Sequence, residues 1–259
     1  MTNEEAHRLA REKGVSRPLY AFVKALVVPF VRVYFRLRVA GAARIPDEGP
    51  VIIAPNHKSF WDSFFIGAAT KRHVRYMGKT ELFEKGAGRL LVALGAFPVR
   101  RGTADAEALE TARTVLRQGG VLAMFPEGTR VRAPDELGEP RSGAGRLALE
   151  IGALLVPAAI SGTENLFVGP LPKPRRVAIS FGEPIEVAPL GPSPEAAREL
   201  VSERVWPEVQ REFGRLRARR GLIASGLAAL GIGAGVGIAV RRRRRAAPRW
   251  PGRRKRRRR

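Results

Sequence analysis

Three short, unbroken apolar runs constrain this chain more than any other feature: VIIAP at 51–55, VLAMF at 121–125 and LLVPAAI at 154–160. A strand with one wet face alternates apolar and polar residues. A run that is apolar at every position reads instead as a strand covered on both faces. Such strands need helices above and below them, and the intervening sequence supplies them. ADAEALETARTVLRQ carries acids in its first turn and stops at Gly119-Gly120, which predicts a helix with Thr103 as its cap. Ser142 is placed to cap a second helix over GAGRLALEIG. Residues 84–94 read as helical, and residues 194–217 as a charged, amphipathic last helix. Further strands are expected in RLRVAG, VRYMG and GAFPVRRG, while RVAISFGEPIEV reads as strand, turn and strand. Alternating strands and helices predict an α/β layered fold. Ligands of such folds gather beyond the carboxyl ends of the strands.

Ahead of this region lies PLYAFVKALVVPFVRVY, residues 18–34. Lys24, Arg32 and Arg36 fall on one helical face, so an amphipathic helix is expected, resting on a membrane surface or on the core. Pro29 argues for a kink or break in it. The first 18 residues are too polar for a signal peptide, so the chain is expected to start in the cytoplasm. His7 falls in this stretch and reads as part of a frayed end. A hydrophobic content of 44% over 259 residues is enough for a sizeable core. The absence of cysteine excludes disulfides and thiolate metal sites. Net charge is +23, of which residues 241–259 supply +13 through twelve Arg and Lys255, leaving +10 for the body. A basic body suits anionic partners: nucleic acid, a membrane surface or phosphorylated substrates.

Two polar motifs directly follow apolar runs. The first is NHKSFWD at 56–62. Five residues apart, His57 and Asp62 would not share a helical face. They meet only if His57 precedes a helix and Asp62 sits in its first turn. Asp62 then accepts from one ring nitrogen and leaves the other as a base. Ser59 is too close in sequence to be placed as a nucleophile, so the base would activate an external hydroxyl. A capping or packed histidine is the other reading of these residues. The second motif is FPEGTR at 125–130. Gly128 permits a close backbone approach, Arg130 offers a two-pronged donor for phosphate, and Glu127 can accept from a hydroxyl or hold an arginine. A polar turn is the alternative. Lys79, Arg100 and Arg101 read singly as surface charge, but with Arg130 they could gather at one end of the sheet.

Together these blocks resemble the 1-acylglycerol-3-phosphate acyltransferases, a family of glycerolipid and lysophospholipid acyltransferases. NHKSFWD is similar to the family's NHxSxxD, GAFPVRRG to its second block, FPEGTR to its third and LLVPAAI to its fourth, in the family's order across residues 35–185. The resemblance implies a layered acyltransferase fold, a mixed central sheet flanked by helices, over residues 35–220, with residues 1–34 as an amphipathic, membrane-associating lead. It implies His57 as general base and Asp62 as its orienting partner. Glu127, Gly128, Thr129 and Arg130 would bind the acceptor's glycerol phosphate, with Arg101 as a second phosphate contact. Asn56, Ser59 and Lys79 would complete the substrate site, and Pro157 would shape the acyl end. The implied partners are a lysophospholipid acceptor, an acyl-CoA or acyl carrier protein thioester and an anionic membrane surface, with catalysis on the cytoplasmic face. No metal or bound cofactor is implied. Val131 stands where the family commonly has Ser, and Pro98 is a departure in the second block; both bear on the acceptor. A reading from another class is a non-catalytic basic protein that binds membrane or nucleic acid.

Residues 221–240, GLIASGLAALGIGAGVGIAV, are uncharged and just long enough to span a bilayer as a helix. Gly221, Ser225, Ala229, Gly233 and Gly237 would form a small-residue face. A single span would separate the arginine tail from a cytoplasmic active site, and moving charge outward costs about 2.3 kcal/mol per charge per 100 mV. A hairpin bent at GIGAG, or an interfacial segment, is therefore expected, with a single span as the alternative. The arginine tail, 241–259, is expected to be disordered in isolation and to meet anionic lipid, with nucleic acid the less direct partner.

Overall fold

A computed structural model describes residues 1–84, 86–100, 102, 105–168, 171–189 and 193–219. Arg101, Thr103 and the expected segments 221–240 and 241–259 lie outside the described residues. Residues 1–217 form one compact unit.

The N-terminus is not frayed. Helix α1 (Asn3–Glu12) starts at Thr2, whose hydroxyl accepts from Glu5 N at 3.1 Å. Its Ala6, His7 and Ala10 are buried. Helix α2 (Arg17–Tyr34) runs through Pro29 without the expected break. Pro29 and Ala25, whose carbonyl loses its partner, both lie on the exposed side of the helix, where that loss costs least. Strand β1 (Arg38–Ala40) and β2 (Val51–Pro55) follow, then α3 (Asp62–Ala69) and β3 (Val74–Lys79). The helix expected over 84–94 is two short ones, α4 (Glu81–Glu84) and α5 (Gly88–Ala93). Next come β4 (Ala96–Val99), α6 (Ala106–Arg117), β5 (Val121–Ala123), α7 (Gly143–Ile151) and β6 (Leu154–Ser161). Asp105 caps α6 through its own carboxylate, at 3.2 Å from Ala108 N. Ser142 occupies the cap position of α7, but its side chain makes no capping bond.

A small hairpin, β7 (Phe167–Val168) with β8 (Leu171–Pro172), precedes β9 (Ala178–Phe181). The second strand expected in RVAISFGEPIEV is a single bridge between Ile185 and Leu155. The last helix begins as α8 (Pro194–Glu199), widens to a π-helical stretch at Leu200–Val205 and continues over 206–219.

Seven strands form one sheet in the order β1-β9-β6-β2-β5-β3-β4. Strands β6, β2, β5, β3 and β4 are parallel neighbours, β9 is antiparallel to β6, and β1 runs parallel to β9. This is a mixed central sheet. All five residues of β2 are buried, and they alternate between two cores. Ile52 and Ala54 face the one built with α1, α6, α7 and the last helix, while Val51 and Ile53 face the one built with α2 and α3. That two-sided cover is the physical reason the run is apolar throughout. The outer strand β4 carries Pro98 and is covered by α1, where His7 and Phe97 meet with ring centroids 6.3 Å apart.

Candidate active site

Strands β2 and β5 are neighbours at the centre of the sheet, and both motifs continue from their carboxyl ends. His57 lies before α3 and Asp62 is that helix's first residue, so the two side chains meet: His57 Nδ1 is 2.9 Å from Asp62 Oδ2. The same oxygen accepts from the backbone of Lys58 at 2.6 Å and of Ser59 at 2.7 Å. Three donors thus converge on one oxygen at the start of a helix. An accepting carboxylate assigns the proton to Nδ1, so Nε2 holds a free lone pair. Nε2 has no hydrogen-bond partner among the described residues. The ring is 5% exposed and stacks on Phe125 at 4.0 Å between centroids.

The FPEGTR loop is stitched to this turn. Glu127 Oε2 accepts from His57 N at 2.5 Å and Oε1 from Gly138 N at 2.7 Å. Val131 N donates to His57 O at 2.8 Å. Burial raises the Glu127 carboxyl above the ordinary glutamate range, against the pull of those two amides. Gly128 has φ +65°, and a Cβ there would lie 3.1 Å from the Arg141 side chain. Glycine is therefore needed twice, for the turn and for the guanidinium above it.

His57, Phe125 and Arg130 border a cavity of about 320 Å³. Its walls are mainly apolar. Helix α2 contributes Val23, Val27 and Val28, α3 contributes Phe64 and Ala68, and Met77, Leu82, Leu91 and Leu94 close the far side. Gly67 also lines it; a Cβ at this position would strike the Tyr76 hydroxyl at 2.7 Å. Lys79 and the exposed Arg130 bring cations to the same space. Lys79 lies 3.9 Å from Glu81, while Arg130 has no ion pair among the described residues. A base with one free nitrogen, an unpaired guanidinium and an apolar slot thus share one end of the sheet.

The acyltransferase family profile matches residues 36–161. The 1-acyl-sn-glycerol-3-phosphate acyltransferase of Streptococcus pneumoniae is 28% identical over 201 residues, 75% of this chain and 73% of that one. Its namesake in Bacillus subtilis is 29% identical over 179 residues, 65% of this chain and 86% of that one. The crystal structure of the 1-acyl-sn-glycerophosphate acyltransferase PlsC of Thermotoga maritima superposes with a TM-score of 0.59 at 26% identity, covering 80% of this chain and 83% of that chain. The chain is thus similar to the acyltransferase family in sequence over residues 36–161 and to an acyltransferase structure in fold.

Within this chain, the residues expected at the substrate divide into two groups. His57, Lys79 and Arg130 line the cavity. Asn56 and Glu127 instead spend their polar atoms on the backbone. Asn56 is fully buried, donating to Ile160 O at 3.1 Å and accepting from Ile160 N at 2.7 Å. It acts as a further rung between β2 and β6. The Ser59 hydroxyl accepts from Trp61 N at 3.3 Å, within its own turn. Gly128 and Thr129 are exposed in the loop. Pro157 is interior to β6, opposite Ala54, and does not border the cavity. Arg100 turns to Asp105, with Nε 3.5 Å from the carboxylate, rather than joining Arg130. Lys24, expected on a basic helix face, reaches back to the carbonyls of Thr70 and Lys71 at the end of α3.

Three contributors escaped the sequence reading. Phe125 carries the histidine ring. Arg141 covers Gly128 from thirteen residues away, a spacing with no local signal. Lys58, a spacer in the motif, is among the largest fully buried side chains.

Proposed function

We propose that this protein moves a fatty acyl group from a thioester donor, acyl-CoA or acyl carrier protein, to the free hydroxyl of a 1-acylglycerol-3-phosphate, giving phosphatidic acid at a membrane surface. The observation that carries the reading is the His57–Asp62 pair, with a free Nε2 bordering an apolar cavity and an unpaired Arg130 beside it. The names of the similar bacterial enzymes support the acceptor.

In this mechanism Nε2 of His57 takes the proton of the acceptor hydroxyl as its oxygen attacks the thioester carbonyl. Asp62 holds the ring and stabilises the imidazolium that forms. Collapse of the tetrahedral intermediate breaks the carbon–sulfur bond, and the imidazolium returns the proton to the departing thiolate. Arg130 clasps the acceptor phosphate through two parallel hydrogen bonds, and Lys79 adds a point charge. The apolar cavity receives acyl chain. Membrane contact is supported by Phe22, Leu26, Phe30 and Val33, all exposed along one face of α2. Phe60, Trp61 and Phe64 add an exposed aromatic group beside His57.

The test is transfer from labelled oleoyl-CoA to lysophosphatidic acid by membranes carrying the protein, with His57→Ala alongside. The variant should lose at least about a hundredfold in rate. Equal turnover by both would remove His57 from the chemistry. No transfer by either, across other lyso-lipid acceptors and carrier-protein donors, would favour a binding protein.

A further inference from the structure

Lys58 follows the base directly and is 2% exposed, an unusual burial for a lysine. No carboxylate forms a salt bridge with its ammonium among the described residues. Nζ instead donates to Ala133 O at 2.7 Å and to Glu136 O, and stands over the Phe213 ring at 5.0 Å from its centroid. Two carbonyls and an aromatic face thus satisfy a cation that burial would otherwise penalise heavily. These partners belong to two different parts of the molecule. Ala133 and Glu136 lie in loop 131–141, which leaves Arg130 and returns through Gly138 to Glu127. Phe213 lies in the last helix, and four residues on, Arg217 grips the same loop with Nε 2.8 Å from Asp135 Oδ1.

The backbone of Lys58 works in the opposite direction. Its N–H is one of the three donors on Asp62 Oδ2. Side chain and main chain of one residue therefore join the His57–Asp62 pair to the loop after Arg130 and to the last helix. The alternative anchors are short: Val131 N to His57 O and His57 N to Glu127. Neither reaches the last helix.

We propose that Lys58 is a positioning residue for the base: its ammonium, locked on Ala133 O, Glu136 O and Phe213, holds the turn whose amides orient Asp62. The kinetic part of this claim rests on the acyl-transfer reading above; the structural part does not. Loss of the lock lets Asp62 and the imidazole drift from the productive geometry without removing any group that touches substrate.

The test uses the full chain in membranes or detergent, with Lys58→Met, which keeps the apolar stem and removes the donors, and Lys58→Arg, which keeps charge and donors. Steady-state kinetics are measured with oleoyl-CoA and lysophosphatidic acid, and amide hydrogen exchange is followed by mass spectrometry. Lys58→Met should lower kcat about tenfold or more while the acceptor KM stays within about twofold. Peptides covering 56–62 and 131–138 should exchange about tenfold faster, with the core strands unchanged. Lys58→Arg should recover most of both. Wild-type kcat and local exchange in Lys58→Met overturn the proposal. So does a loss accompanied by uniformly faster exchange, which marks a merely structural role. If Lys58→Met does not fold, Phe213→Leu carries the same readouts at smaller amplitude, and an unchanged kcat and exchange there overturn it. If the native protein transfers no acyl group, the functional reading falls. The exchange comparison still decides whether Lys58 anchors the turn.

Discussion

Glu127 shows how one carboxylate can organise a site that it does not enter. Its two oxygens hold two backbone amides 81 residues of chain apart, His57 N on the turn before α3 and Gly138 N on the returning loop. A glutamine of the same shape can accept only one of them, and its NH₂ must face the other N–H. Glu127→Gln should therefore destabilise the fold by about 1–3 kcal/mol, read as a lowered urea midpoint, and should lower kcat more than it raises KM. A variant with native stability and kcat would show that the two amides need no acceptor. The His57–Asp62 geometry was legible from the sequence because it has only one sterically sensible solution at that spacing. The roles of Asn56 and Glu127 were not. Polar residues in a motif look alike whether they touch substrate or backbone, and only the partners, Ile160 and Gly138, tell them apart.

Helix-level features follow from what each face meets. In α7, a Cβ on Gly145 would lie 2.5 Å from Ala197 O and 2.8 Å from Val201, so the last helix docks against bare backbone. Gly145→Ala should cost about 1–3 kcal/mol despite alanine's better helix propensity, measured by the thermal midpoint. A stabilised variant would mean the two helices separate freely. In α2, Phe22 is 63% and Phe30 51% exposed. Phe22→Ser with Phe30→Ser should weaken binding to anionic vesicles at least about tenfold while leaving the thermal midpoint nearly unchanged. Retained vesicle binding would move the contact elsewhere. The runs VIIAP and LLVPAAI were readable as strands because a strand covered on both faces is apolar throughout. The split of 84–94 into two short helices was not: it turns on Gly86, which takes φ +80° between them. Pro29 misled for a similar reason. Its position relative to the core, rather than its identity, decides whether a helix survives it.

At the scale of the whole molecule, α1 is the piece the sequence concealed most. Its polar surface reads as a loose end, yet His7 is buried with Nδ1 2.9 Å from the Thr111 hydroxyl. Burial lowers its pKa, as do Arg11 and Arg100, while Glu107 and Asp105 oppose the shift. A histidine depressed in the folded state binds protons more readily when unfolded. Its stabilising contribution is complete above the ordinary imidazole range and is lost as pH falls below about 6.5. The thermal midpoint should decline between pH 7 and pH 5, and His7→Gln should flatten that decline. An equally steep decline in the variant would assign it to other groups. Charge told less than composition promised: many basic residues of the body, including Arg44, Arg113 and Arg175, are committed to acids within the fold, leaving Arg130 as a free cation at the cavity.

The outer strands carry one more consequence. A sheet's border presents unpaired backbone groups that invite a neighbouring chain to add on. Here one border, β1, is three residues long and begins with an exposed Arg38, and the other, β4, contains Pro98, which has no N–H to offer, and is roofed by α1. Molecules at high local concentration are thereby denied the simplest route to aggregation.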